Sequence, residues 1–456
     1  MLPITLEFVL LETKWLAVVS VEVFVVEVNQ SHVERFLVAA MQPLIPAEIL
    51  RQIVRIATEI PRMLDTSSPE PFDTSSGGQA LEMAVTATEM FTFKSNLSRV
   101  SKLFNAVTEE FMYEYIVLYD LEQLFPLLRS LDTLLRSTEH KVFRGERCKR
   151  LDIAFGRRAP RKMLYEMDQQ LLWVYHGIGK LFLACPNMQV LTIHFGTFLT
   201  PTDVGVSDSL WMHIASRLRS LRVLSVSSVL IYEGDVPRLL NSLQSLERLR
   251  ITVSEWRDRS VPPPIRTVRL FRPDELAQCL FALQSTQWPD TCPKMVIVPN
   301  LRSLEIVGGL YGFMKRLELP ALRTVIIPSR AGEKYCTSLE KWKYQVTHLV
   351  LSCEGEYPGM WEALHMFPRV QDLTVMRFDP YLDNVDHPYL QVIRLHSFHM
   401  QMSNSLTRLL DGGKLTGLRE IVLLETYQSI IDEQMSMVVE GFAKRGVQLR
   451  SGHPAM

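Results

Sequence analysis

Three arginines of this chain have the type and spacing to do recognition chemistry: Arg248, Arg250 and Arg269. A guanidinium fork receives a carboxylate or phosphate through two parallel hydrogen bonds, so neighbouring arginines suit an acidic or phosphorylated partner segment. The competing reading is a charge ladder in which Glu305 pairs with Arg269, since such surface pairs are common. Catalytic chemistry finds no foothold. The chain has no G-x-S-x-G elbow, no phosphate-binding glycine loop, no H-E-x-x-H and no dinucleotide fingerprint. His387, His396 and His399 lie close in sequence, but no cysteine or acid shares a ligand spacing, so solvated loop histidines are expected. Cysteines 148, 185, 279, 292, 336 and 353 form no C-x-x-C pair, which points to a reducing compartment, cytoplasmic and/or nuclear. A non-enzymatic protein without metal or cofactor is expected.

The elements that would position those arginines repeat. An apolar residue, two variable ones, an apolar residue, one variable one and a further apolar residue recur as Cys148-x-x-Leu151-x-Ile153, Met188-x-x-Leu191-x-Ile193, Leu221-x-x-Leu224-x-Val226 and Leu246-x-x-Leu249-x-Ile251. The series continues through triplets centred on Val268, Leu304, Val325, Leu349, Leu373, Ile393 and Ile421. Ten intervals between positions 151 and 421 average 27 residues, within the 20–29 of leucine-rich repeats. One such triplet is an ordinary buried strand; eleven at this period predict an irregular leucine-rich-repeat solenoid over 148–456, an α/β fold with a parallel sheet on the concave face and helices outside. Pro186, Pro299, Pro320, Pro368 and Pro388 each stand two residues before a triplet and mark where a strand is entered. Helices are predicted at 211–219, 235–245, 273–284, 359–366 and 404–411, and the segment Ile431–Met435 with the tail as a cap. Strand alternation then names a column of residues facing the concave side: Asp152, Thr192, Ser225, Arg250, Arg269, Glu305, Ile326, Val350, Thr374, Arg394 and Val422. Arg250 and Arg269 would stand side by side with Arg248 close to both. Ile326 and Val350 would be neighbouring apolar positions, either a contact patch or ground beneath a terminal segment.

Ahead of the repeats the pattern changes. Ile49, Leu50, Ile53, Val54 and Ala57 make one helical stripe after Pro46, ended by Pro61. The stretch 65–78, Asp-Thr-Ser-Ser-Pro-Glu-Pro-Phe-Asp-Thr-Ser-Ser-Gly-Gly, can bury almost nothing and is expected as a flexible loop. Helices are expected near 79–91 and 97–107, and a helical connector over 120–147. Residues 1–28 are apolar, but Glu7, Glu12, Lys14, Glu22 and Glu27 interrupt them and no base precedes the apolar run. That argues against a signal or a membrane helix, and Val19–Val28 alternates as a strand. The expectation is that residues 1–40 are an appendage, with Met41 as the functional start. The net charge of −1 offers no global field for nucleic acid or an anionic membrane, so neither is an expected partner.

Residues 43–119 resemble an F-box module. Leu44-Ile-Pro-Ala-Glu-Ile-Leu-Arg-Gln-Ile-Val54 is similar to the family's opening Leu-Pro-x-Glu-Ile-Leu-x-x-Ile. Leu97-Ser-Arg-Val-Ser-Lys-Leu-Phe-Asn-Ala-Val107 is similar to its Val-Ser-(Lys/Arg)-x-Trp/Phe segment, and Tyr113–Leu118 loosely to its ending. Two departures stand out: the module is stretched by the 65–78 insertion, and Ile45 displaces the Leu-Pro spacing by one. The resemblance, followed by leucine-rich repeats, implies a substrate-recognition subunit of an SCF-type ubiquitin ligase. The F-box would dock on the Skp adaptor, which bridges to cullin, and the repeats would hold an unknown target protein. The residues it assigns to the adaptor face are Leu44, Pro46, Ile49, Leu50, Ile53, Val100 and Phe104, some of which would equally serve the module's own small core. The rival reading is a repeat scaffold or receptor unconnected to ubiquitination, its degenerate F-box capping the solenoid.

Overall fold

A computed structural model of the chain describes residues 6–11, 14–19, 47–58, 64, 78–119, 121–133, 143–155, 177–195, 204–232, 235–257, 295–307, 312–328, 337–352, 364–375, 386–395, 400–424 and 432–451. Near the N-terminus, β1 (Leu6–Leu11) and β2 (Lys14–Val19) pair antiparallel. The expected strand over Val19–Val28 lies outside the described residues past Val19, as does most of the 65–78 loop. Three helices follow: α1 (Ala47–Thr58), α2 (Gly78–Val100) and α3 (Lys102–Met112). The two helices expected at 79–91 and 97–107 are divided elsewhere. No Gly or Pro interrupts 79–100, so α2 runs unbroken to Val100. The break falls at Ser101, whose extended backbone (φ −160°, ψ 170°) and hydroxyl, accepting from Phe104 N–H at 3.2 Å, cap α3.

The rest of the described chain is α/β, built on one twelve-stranded sheet. It begins with β3 (Tyr115–Leu118), β4 (Arg150–Phe155), β5 (Val190–Phe195), β6 (Val223–Tyr232) and β7 (Arg248–Arg257). A short pair, β8 (Val296–Ile297) and β10 (Leu317–Glu318), stands apart. The main sheet resumes with β9 (Ser303–Val307), β11 (Thr324–Pro328), β12 (His348–Ser352), β13 (Asp372–Val375), β14 (Val392–Leu395), β15 (Glu420–Leu423) and β16 (Gln448–Ser451). All its strands are parallel and adjoin in chain order. Parallel neighbours require a crossover between them. Helices occupy several crossovers: α4 (Leu124–Leu131), α5 (Val204–Arg217), α6 (Asp235–Ser242), α7 (Met400–Asp411) and α8 (Asp432–Ala443).

Ten of the eleven expected triplets are strands of this sheet. Their central residues stand opposite one another in a single row from Leu151 through Leu191, Leu224 and Leu249 to Leu304, and on to Ile421, all essentially buried. Each such side chain contributes about 1.5–3 kcal/mol of apolar transfer. The eleventh, Ile265–Leu270, lies outside the described residues, and β7 pairs directly with β9, so no strand stands between them. The sheet also extends one strand further at each end. Tyr113-x-x-Ile116-x-Leu118 obeys the same triplet rule, so the segment read as the end of the helical module is the first strand. The expected C-terminal cap is α8 followed by β16, whose Leu449 continues the row beside Ile421.

Register is held by the backbone as well as by the leucines. The carbonyl two residues before each central residue accepts two successive N–H groups from the next unit. Lys149 O receives Gln189 N and Val190 N, Gln189 O receives Arg222 N and Val223 N, and so on from Glu114 to Gln391, at 2.7–3.1 Å. The turn before each strand sets the prolines. Leu301, Leu322, Val370 and Leu390 N–H donate to the carbonyls of Val298, Leu319, Phe367 and His387, so Pro299, Pro320, Pro368 and Pro388 are the second residue of a four-residue turn. Proline's fixed φ suits that position.

Neighbouring units approach closely at these turns. A Cβ on Gly417 would sit 2.3 Å from Pro388 O, and one on Gly145 2.2 Å from Ala184 O. Backbone cannot yield as a side-chain tip does. Gly417→Ala and Gly145→Ala should each lower unfolding free energy by about 1–3 kcal/mol or more through overpacking, whereas Gly441→Ala, inside α8 with only an ordinary 3.8 Å contact to Arg445, should raise it by up to about 1 kcal/mol. Urea unfolding checks this.

Candidate functional site

Two surfaces were candidates from sequence, the helical stripe and the sheet's polar face. On α1, Leu50 and Val54 are buried against Val107, with Leu103, Phe104 and Phe111 packed around them. Leu50 therefore serves the module's own core, and Phe104 mainly does so. Ile49 is 43 % exposed and Ile56, which the sequence reading did not single out, 69 %. Ile53 and Val100 are half-buried, while Leu44 and Pro46 lie outside the described residues. Ile49 and Ile56, seven positions apart, fall on one edge of α1, two helical turns apart. That edge is the apolar surface this element leaves open.

Charged and polar contacts tie the helices to each other and to the turn ahead of β4. Lys94 of α2 donates to Phe111 O at 2.9 Å, and Lys149 meets Glu114 at 2.5 Å. Burial holds the Lys94 ammonium down at about 8, against an opposing pull from Glu114. Arg144 pairs with Glu109 of α3 and lies over the Tyr113 ring at 5.6 Å. One strand in, Tyr115 OH donates to Asp152 Oδ2 at 2.5 Å, Arg150 Nε donates to the same oxygen at 2.9 Å, and the Arg150 guanidinium lies 5.0 Å from the Tyr115 ring. Burial, then the Asp152 charge, pushes the Tyr115 phenol far above its ordinary range.

The polar face is less open than the alternation of strand residues suggests. Asp152, Thr192 and Ser225 are at most 3 % exposed, and Glu305, Thr374 and Val422 are also buried. Arg250 stands opposite Glu305 in register and pairs with it at 3.0 Å. The expected pairing of Arg250 with Arg269 is thus replaced, because β9 takes the place next to β7; Arg269 lies outside the described residues. Arg248 stands two residues earlier on β7, between Val223 and Ser303. Ile326 and Val350 are register partners, as expected, and both are half-buried. Further on, Arg394 clasps Asp372 through two nitrogens at 2.7–3.0 Å. His348 donates to or accepts from Thr374 at 3.0 Å, and burial holds its imidazole below the usual range. Most charges on this face are therefore internally compensated.

His387 is not the solvated loop histidine expected: it is 3 % exposed, and its Nε2 bonds Phe367 O at 3.0 Å. It occupies the first turn position, where other units place Cys185, Val298, Leu319 or Phe367. His396 and His399 lie outside the described residues. Among the described residues no cluster of His, Cys, Asp or Glu could hold a metal, and no helix is long and apolar enough to cross a membrane. The sequence reading missed the turn edge of the sheet, where Tyr344, Arg369 and Tyr389 stand exposed. Arg369 and Tyr389 directly follow the turn prolines Pro368 and Pro388, and Tyr344 stands two residues before its triplet, where five other units place proline; that was the available signal. No family model matches the chain, and no curated protein matches it.

The buried groups yield two tests. In the unfolded chain Lys94 titrates near 10.5, in the folded one near 8, so between those values the unfolded state holds more protons and stability rises with pH. Relative to Lys94→Met, the native chain should gain about 2 kcal/mol between pH 7 and pH 10, a comparison made by denaturant unfolding. Asp152→Ala removes the carboxylate that the buried Arg150 pairs with and should cost about 3–5 kcal/mol.

Proposed function

We propose that this chain is the substrate-recognition subunit of an SCF-type ubiquitin ligase. In this reading residues 43–119 are an F-box-like module that docks on a Skp-type adaptor, itself bound to cullin. The sheet and its crossovers are a leucine-rich-repeat solenoid that holds a target protein. The observation that carries the reading is the row of in-register leucines with strand order equal to chain order. A stack whose units contact only their neighbours builds an extended surface without a catalytic cavity. Supporting the adaptor half, α1 keeps Leu50 and Val54 for its own core and leaves Ile49 and Ile56 outside. An amphipathic helix with an apolar edge to spare suits a constant partner's groove.

One observation favours a second reading, a repeat scaffold capped by these helices. The last segment of the F-box-like region is the sheet's own first strand; Met90 of α2 packs against its Tyr115, Lys94 holds α2 to Phe111 O of α3, and Glu109 of α3 pairs with Arg144 ahead of β4. A helical cover over an edge strand is what a solenoid needs to end without an open edge.

Co-purification with the Skp adaptor separates the two. The full chain should retain the adaptor, and Ile49→Glu with Ile56→Glu should abolish retention while leaving the unfolding midpoint within error. Leu50→Ala should instead destabilise the fold by about 2–5 kcal/mol. Failure of the native chain to retain the adaptor, or retention by the doubly charged variant, leaves the scaffold reading standing.

A further inference from the structure

The carbonyls of the register ladder belong to residues that crowd one rim of the sheet, where each strand is entered. Read along the chain, this rim column is Glu114, Lys149, Gln189, Arg222, Glu247, Arg302, Arg323, Thr347, Gln371, Gln391 and Arg419. Its first half is self-neutralised: Lys149 meets Glu114 at 2.5 Å and Arg222 meets Glu247 at 2.6 Å. Its second half, from Arg302 on, holds three arginines and no acid. Arg323 is tethered by Nη1 to Leu322 O at 3.3 Å and more loosely to Gln345 O at 3.5 Å, with no carboxylate partner among the described residues.

The same rim is hollowed there. A groove of about 730 Å³ is lined by Arg323, Tyr344, Gln345, Arg369, Gln371 and Tyr389, among others. Tyr344 is 59 % and Tyr389 63 % exposed, unusual for rings in a protein that buries Trp211, Trp342, Phe313 and Phe367 completely. Lys343 lies 5.4 Å and Arg369 6.0 Å from the Tyr344 ring, so cations flank the aromatic surface. Arg369, like Arg323, has no carboxylate partner among the described residues.

Lateral spacing along the rim bears on the ligand. Tyr344 and Tyr389 precede β12 and β14, two strands apart and one register position out of step. Arg323 and Arg369 precede β11 and β13, two strands apart and two positions out of step, within the reach of their long side chains. Two inter-strand steps span about 9.6 Å. A polyproline II helix repeats the same face every three residues, over about 9.3 Å. An extended β-strand does not match, since its faces recur at roughly 6.6 Å.

We infer that the rim groove binds an acidic polyproline II segment of a partner protein, laying prolines on Tyr344 and Tyr389 and carboxylates at every third residue on Arg323 and Arg369. This deepens the target-holding reading by naming the chemistry of one target feature. The groove carries only about two uncompensated cations at this spacing, too few for the phosphate tracking on which sequence-independent nucleic-acid binding depends.

The test is fluorescence anisotropy with the full chain and a labelled (Pro-Pro-Glu)4 peptide. Binding should weaken about tenfold or more for (Pro-Pro-Gln)4, for Arg323→Gln with Arg369→Gln, and for Tyr344→Ala with Tyr389→Ala. The variants alter exposed side chains and should melt like the native protein. Equal binding of (Pro-Pro-Gln)4, or full binding by either double variant, overturns the proposal. So does equal binding of a flexible (Gly-Gly-Glu)4 probe, or tighter binding of labelled oligouridylate. Adaptor retention is scored on the same preparations; it should be unchanged in the rim variants, so failure of the ligase reading and failure of peptide docking are told apart.

Discussion

The structure depends on one recurring constraint, a carbonyl that accepts two consecutive N–H groups from the next unit at the entry of nearly every strand of the main sheet. Backbone amides at the start of a strand must find acceptors, since an unpaired buried group costs as much as a lost hydrogen bond. Here that requirement is met between units, which locks each strand's phase to the one before it. Once the phase is locked, the leucines fall into a row and the polar residues into columns. A slip of one residue would turn every leucine to the opposite face, so the apolar row and the carbonyl ladder enforce each other.

Charge is distributed unevenly on that frame. On the polar face, Arg250 with Glu305 and Arg394 with Asp372 compensate each other across strands. Buried or half-buried pairs of this kind position side chains more than they stabilise the fold. On the rim, the later units drop their acids while keeping Arg302, Arg323 and Arg419. An overall charge of −1 conceals this difference completely. What matters for recognition is the local balance within about one Debye length, roughly 8–10 Å, and not the sum over the chain.

The junction between helices and sheet follows the same economy of partners. β3 would be an edge with unpaired backbone on its outer side; α2 lies against it, with Met90 on Tyr115, while Lys94 holds α2 to α3 and the Glu109–Arg144 pair holds α3 to the turn ahead of β4. A cation such as Lys94, desolvated to a pKa of about 8, is costly at neutral pH. Its hydrogen bond to Phe111 O and the nearby Glu114 offset that cost while fixing where the helices sit. The helical region and the sheet are thereby held as neighbours through named contacts, although their sequence patterns look unrelated.

The amino-acid order alone determined each unit: the spacing of apolar residues placed ten strands, the prolines marked their turns, and the α1 stripe placed a helix at 47–58. These are local properties, because a side chain's face follows from backbone periodicity within a few residues. Reading Tyr113–Leu118 as a module's ending hid a first strand that obeys the triplet rule, and Gly446 and Ser451 in apolar positions hid the last. Only the tertiary structure decided which units adjoin. It set β9 beside β7, gave Arg250 a carboxylate where a second arginine was expected, buried Leu50 while exposing Ile49, and brought Tyr344 and Tyr389 to one groove. Adjacency depends on what the chain does between units, and no periodicity within a unit carries that information.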